Sequence, residues 1–340
     1  MTPRLVMYLG IAALLSAGAA GAVWRAENVQ PAVAESGDWL LPGLVDNVNA
    51  VAGIAVQAGE KSIELKRSEA GWMVEPSGYP VKDKKLRDVL VGLVRLTKLE
   101  PRTADAGKYE IIQVEDAAKP GAKARQVTLK DDKGAVTGNV ILGKAATGFT
   151  TGSEEAQYVR LADDKQSWLV RGAVGAGGEL KDWVDTTVMR VNTGEVKQVE
   201  FRHADGDVLT LTKSGKDDKG NDRFEIGGLP EGVKPADERT VRYGATDLAN
   251  VEFTDVRKAT GQGTSVSEVI LASDKGLKVT YQVMEEDGQM WLSVKVVEKG
   301  SDAEAADKIT ARVDGWEFAM ADYKAKQFKK RLSDFLNMQE

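Results

Sequence analysis

The chain contains no cysteine and one histidine, His203. The first absence excludes disulfides, thiolate zinc sites and a lipid-modified cysteine, and the second excludes any centre built on two imidazoles. Positive charge is also scarce: 46 Lys and Arg against 52 Asp and Glu leave a net charge of −6. Nucleic acid, which is held by a surplus of cations on one face, is therefore not an expected partner. No cofactor is expected either. Asp217–Asp222 has the composition of a calcium loop without its ligand spacing or a closing bidentate Glu. Gly172–Gly178 lacks the Gly-Lys-Ser/Thr ending and the spaced glycines of a phosphate cradle, and reads as a hinge or loop. Carboxylates are plentiful, but no local motif singles out an acid pair. His203 is expected to be an exposed residue at a strand end. No catalytic residue is assigned, and the chain is read as not an enzyme.

Long apolar runs are missing with one exception. From Leu5 to Val23 the chain carries no charge for 19 residues. As a helix that run is roughly 28 Å long, close to a bilayer core of about 30 Å. Leu5, Leu9, Ile11, Leu14, Leu15 and Val23 are its candidate anchor residues. The Ala-Gly-Ala triplets at 17–19 and 20–22 also suit a cleaved signal, so both readings stand on residues alone. In either case Arg4 favours a cytoplasmic amino terminus and export of everything after Trp24. Residues 25–38 read as a polar tether.

At 340 residues the body exceeds one ordinary core, at a prior of about 150 residues per domain. The stretch 71–99 organises it: a strand through Trp72 and Val74, a Gly-Tyr-Pro turn, then a helix with Leu86, Val89, Leu90, Leu93 and Thr97 on one side. A weaker copy follows. The strand pair 54–65 aligns with 199–211, strand 71–74 with 223–226, helix 86–97 with 238–249, and 127–134 with 269–276. The expected fold class is α+β: two tandem similar lobes of antiparallel sheet with packed helices, over 39–190 and 191–340, preceded by the apolar helix within 1–24. Lys108–Ile111 is read as the approach to strands and Leu180–Val184 as a short helix. Trp72, Trp168, Trp183, Trp291 and Trp316 are assigned to cores. The end of the chain reads as one helix with Phe328, Leu332 and Phe335 on one side and five cations, Lys324, Lys326, Lys329, Lys330 and Arg331, as candidate contacts to a partner or to lipid headgroups.

Leu40-Leu41-Pro42-Gly43-Leu44, Gly-Trp-x-Val with Tyr-Pro-Val over 71–81, the Leu-rich helix, Leu142-Gly143-Lys144 and Tyr158-Val159-Arg160 together resemble the bacterial domain-of-unknown-function family DUF4340. The resemblance implies no catalytic residues. It implies a retained membrane anchor and company with gliding-motility-type ABC transporter subunits. The resulting expectation is a single-pass inner-membrane protein with its bulk in the periplasm, acting as a non-catalytic accessory or scaffold of an ABC-type transport system. Its partners would be the inner membrane and the transporter's membrane subunits. The alternative is a soluble periplasmic module that binds an envelope glycan or peptide.

Overall fold

The computed structural model describes residues 38–151, 154–229, 232–233, 235 and 237–336. The candidate anchor residues Leu5, Leu9, Ile11, Leu14, Leu15 and Val23 lie outside them. Among the described residues no helix is long and apolar enough to cross a membrane.

The order of elements is α1 (Pro42–Asn47), β1 (Gly53–Ala58), β2 (Lys61–Ser68), β3 (Gly71–Glu75), β4 (Tyr79–Pro80), α2 (Asp83–Arg95), β5 (Thr97–Pro101), α3 (Tyr109–Ile112), β6 (Arg125–Lys130), β7 (Val136–Thr151), β8 (Glu154–Leu161) and β9 (Ser167–Arg171). Then follow β10 (Thr187–Arg190), β11 (Val196–His203), β12 (Val208–Lys216), β13 (Asp222–Ile226), α4 (Glu238–Thr246), β14 (Asn250–Glu252), β15 (Asp255–Lys258), β16 (Thr264–Ser273), β17 (Leu277–Glu286), β18 (Gln289–Lys299), α5 (Ala303–Val313), β19 (Trp316–Ala319) and α6 (Asp322–Gln327). The fold is α+β with mostly antiparallel strands.

One sheet has the order β4-β3-β2-β1-β6-β7-β8-β9-β5, another β13-β12-β11-β16-β17-β18-β19-β15, and β10 pairs with β14 alone. Apart from β4, the two large sheets follow the same permutation of strands. Two compact units are formed: one runs up to Val51 and takes in Gln57–Glu60 and Asp88–Ala176, and the other comprises Ala52–Val56, Lys61–Arg87 and the chain from Gly177.

In α2 the spacing of Leu86, Val89 and Leu93 buries all three, with Asp83 in the first turn and Arg95 in the last, where each suits the helix dipole. The helix stops short of the expected Thr97. The Leu96 carbonyl accepts the Leu40 amide at 2.9 Å, and the Lys98 amide donates to the Asp38 carbonyl at 2.9 Å, so extended pairing takes over at β5. Trp183 is fully buried behind a short 3-10 turn, its indole donating to the Gly177 carbonyl at 2.8 Å.

Three local expectations are corrected. Tyr109–Ile112 is a helical turn rather than a strand approach, because the Tyr109 ring packs with Val114, Ala117 and Ile141 while its hydroxyl donates to the Lys165 carbonyl. The C-terminal helix ends at Gln327, and Leu332–Phe335 is a separate 3-10 turn. His203 is 7% exposed rather than at the surface. These last two share a cause. The Ser267 hydroxyl donates to the Phe328 carbonyl at 2.8 Å, and His203 Nε2 lies 3.0 Å from the Lys330 carbonyl, so main-chain groups freed where the helix breaks satisfy buried side chains.

Gly244 in α4 makes room for the end of the chain. A Cβ there would overlap the buried Phe335 ring. Gly244→Ala is expected to destabilise the protein by about 1–3 kcal/mol through overpacking, outweighing the helix-propensity gain of about 1 kcal/mol. Gly43→Ala in α1, where a Cβ meets nothing within 4 Å, should be neutral or stabilising. Urea unfolding of the two variants checks the contrast.

Candidate functional site

A groove of about 1060 Å³ lies in the second unit. One wall is Ser62, Ile63, Glu64 and Lys66 of β2 with Val74, Glu75, Pro76 and Ser77; the other is Asp255–Lys258 of β15 with Thr260 and Trp291. Both walls are anchored on aromatic side chains. Tyr79, just beyond the turn that follows β3, meets Trp316 at 4.9 Å and Phe253 at 5.4 Å between ring centroids, both edge-on, and Phe253 lies 5.1 Å from Phe318. Edge-to-face pairing of this kind fixes ring orientation as well as burying area.

Arg257 and Glu317 face one another in register across β15 and β19. Glu317 is 1% exposed. Its carboxylate accepts from Arg257 Nε at 2.8 Å, from the Gly261 amide at 2.9 Å, and from the amide and hydroxyl of Thr260. The Arg257 guanidinium also pairs with Glu286 at 2.5 Å and lies 3.9 Å from the centroid of Trp291. Burial alone would lower its pKa, but the hydrogen bonds to Glu286 and Glu317 outweigh that and hold it above the ordinary value. Lys258 sits 3.6 Å over the Trp316 ring. The cations of β15 are therefore committed to holding the strand in place.

Two carboxylates of the groove are not so committed. Glu64 and Glu75 stand directly opposite each other across β2 and β3, and neither forms an ion pair among the described residues. Like charges in that position oppose pairing. Asp255 adds a third carboxylate, against Lys66 on the same lining.

The five C-terminal cations do not share one helical face. Lys324 donates to the Asp247 carbonyl at 2.7 Å, and burial lowers its pKa. It lines a second cavity of about 440 Å³ with Arg242, Tyr243 and Asn250. Arg331 is paired with Asp205 and Asp207, and Lys330 lies 5.8 Å from the Phe335 ring. Lys326 is exposed and Lys329 half-buried, without ion pairs among the described residues. No cluster of three or more His, Cys, Asp or Glu suited to a metal occurs among the described residues.

The groove escapes a reading of the sequence because its walls, β2 and β3 on one side and β15 on the other, lie far apart in the chain. The resemblance motifs instead prove to serve the backbone. A Cβ on Gly143 would overlap the Ile112 carbonyl oxygen, so only glycine fits. Arg160 is buried, and donates to the Val114 carbonyl at 3.1 Å and the Asp164 carbonyl at 2.9 Å.

Two outcomes follow from this geometry. Glu317→Ala strands Arg257 and the Thr260–Gly261 amides and should cost about 3–5 kcal/mol in urea unfolding, with Glu317→Gln losing less because its amide oxygen still accepts. Burial, offset in part by Arg312, pushes the Tyr79 pKa from 10.0 up to about 12. The unfolded chain thus releases this proton first, and stability should fall as pH rises from 10.0 through about 12, by about 2–3 kcal/mol for this group. Tyr79→Phe should remove that part of the alkaline loss in chemical unfolding across the range, leaving the share of Tyr281, whose pKa burial also raises.

No curated protein and no solved structure matches the chain. A family model described as "Domain of unknown function (DUF4340)" matches residues 72–278, more than half of the chain and the span that holds Trp72, Gly143, Arg160 and Arg257. The chain belongs to the DUF4340 family.

Proposed function

We propose that the protein is a non-catalytic, membrane-anchored periplasmic accessory or scaffold of an ABC-type transport system. The observation that carries this reading is the uncharged run Leu5–Val23, long enough to span and followed by a polar tether to a folded body. The groove supports a binding role, since its buried charged groups are spent on ion pairs and hydrogen bonds that hold β15, leaving shape and surface charge to recognise a partner. The company with transporter subunits that the family resemblance implies supports the choice of partner class.

Fractionation with intact-mass analysis of the native protein tests the anchor. The full chain from Met1 is expected in the inner membrane, resistant to carbonate extraction, with transporter membrane subunits recovered by crosslinking. A soluble protein whose mass begins near Val23 would overturn the anchored reading in favour of a released envelope-binding module. Retention without any crosslinked transporter subunit would overturn the transport assignment alone.

A further inference from the structure

The terminal strands β5 and β15 occupy the same place in the two sheet orders, and their outer edges differ. In the first unit, the outer edge of β5 is covered by an extended piece of the chain itself: Trp39 bridges Thr97, and a main-chain hydrogen bond joins Asp38 to Lys98. No described segment covers the outer edge of β15. The Ala259 amide donates to the Gly315 carbonyl, which fixes the pairing so that Arg257 exchanges hydrogen bonds with Glu317 while the main-chain groups of Val256 and Lys258 point away from β19. The Val256 amide is taken by its neighbour, the Asp255 carboxylate, at 2.8 Å. Among the described residues the Val256 carbonyl and both main-chain groups of Lys258 have no hydrogen-bond partner, and so remain for another strand. That edge lines the groove opposite Glu64 and Glu75.

We propose that the groove binds an extended, Lys- or Arg-bearing segment of a partner protein, added as a strand on the outer edge of β15. Main-chain hydrogen bonds supply the register, as Asp38–Leu40 does for β5, and the opposed Glu64 and Glu75 supply the preference for cationic side chains. A cation placed between these two carboxylates relieves their mutual repulsion, so charge complementarity selects a basic segment over an acidic one. The inference concerns the groove alone and does not require that the partner be a transporter subunit, so membrane fractionation and peptide binding fail separately.

The test uses the full chain and two synthetic peptides of alternating residues, Val with Lys and Val with Glu. The Val-Lys peptide is expected to bind and to slow hydrogen exchange at the Lys258 amide, while the Val-Glu peptide does neither. Glu64→Gln with Glu75→Gln should weaken Val-Lys binding about tenfold, the size of one lost charge-assisted contact, while raising the melting temperature of the free protein. Lys258→Pro removes the outward amide without touching a β15–β19 hydrogen bond, and should abolish binding, whereas Lys258→Ala should retain it. Equal binding of both peptides would overturn the proposal by removing the charge preference, and Val-Lys binding without protection at Lys258 would overturn it by leaving only surface electrostatics. The exchange measurement on the unaltered protein decides the matter even where the proline variant fails to fold.

Discussion

A broad antiparallel sheet buries one face, and whatever covers that face must satisfy any polar side chain lying on it. In the eight-stranded sheet three such residues lie among Phe201, Val269, Leu271 and Val283. His203 and Ser267 are register partners on β11 and β16, and Tyr281 sits opposite Val269 on β17. Each is satisfied by a main-chain carbonyl of irregular chain: Lys330, Phe328 and Leu248 respectively, with the Tyr281 hydroxyl donating at 2.8 Å. A continuous helix from 322 to 335 would have consumed carbonyls of this kind internally. Breaking it after Gln327 frees them, and Phe328 and Phe335 still fill the core.

That constraint explains where sequence reading succeeds and where it stops. The stripe of α2 and the inward Trp183 are local or periodic, and both are legible in the residues. The C-terminal break is not. Its apolar spacing is sound for a helix, and the competing hydrogen bonds come from side chains more than 60 positions away. A lone histidine on a strand carries no mark of burial until its carbonyl partner is known. The helix α5 escapes for a different reason. Its signal is present, in the Asp302 cap that accepts from the Ala305 amide and in the spacing of Ala306, Ile309 and Val313, but small and β-branched residues make a weak stripe.

The groove is illegible because nothing in it is a motif. Glu64 and Glu75 look like ordinary surface carboxylates in two separate strands, and become a like-charged pair only when β2 and β3 are set in register. Arg257 and Glu317 become one ion pair only when β19 closes on β15. By contrast, the residues that carry the family resemblance are visible in sequence because they meet local demands of the backbone: no side chain fits at Gly143, and Arg160 gathers several carbonyls at once. A family signature of this kind reports how the fold is held and is silent about what it binds.

The first unit follows the same rule with other residues. Gln157 donates to the Gly143 carbonyl and accepts from the Val174 amide, pinning the glycine-rich loop that composition alone presents as loose. Arg160 and Tyr109 hold the carbonyls of the 162–165 turn and its neighbours. In both units the irregular chain is fixed by a few buried polar side chains, each paired, so those groups are occupied with structure. What differs between the copies lies at the surface. The edge of β5 is covered by the chain's own Asp38–Leu40, while that of β15 faces a groove whose opposed Glu64 and Glu75 form no ion pair among the described residues. The same strand order in the two large sheets leaves each terminal strand one outer edge, and among the described residues only that of β5 is covered by the chain, so an extended segment could pair with β15 without displacing any strand already in the sheet.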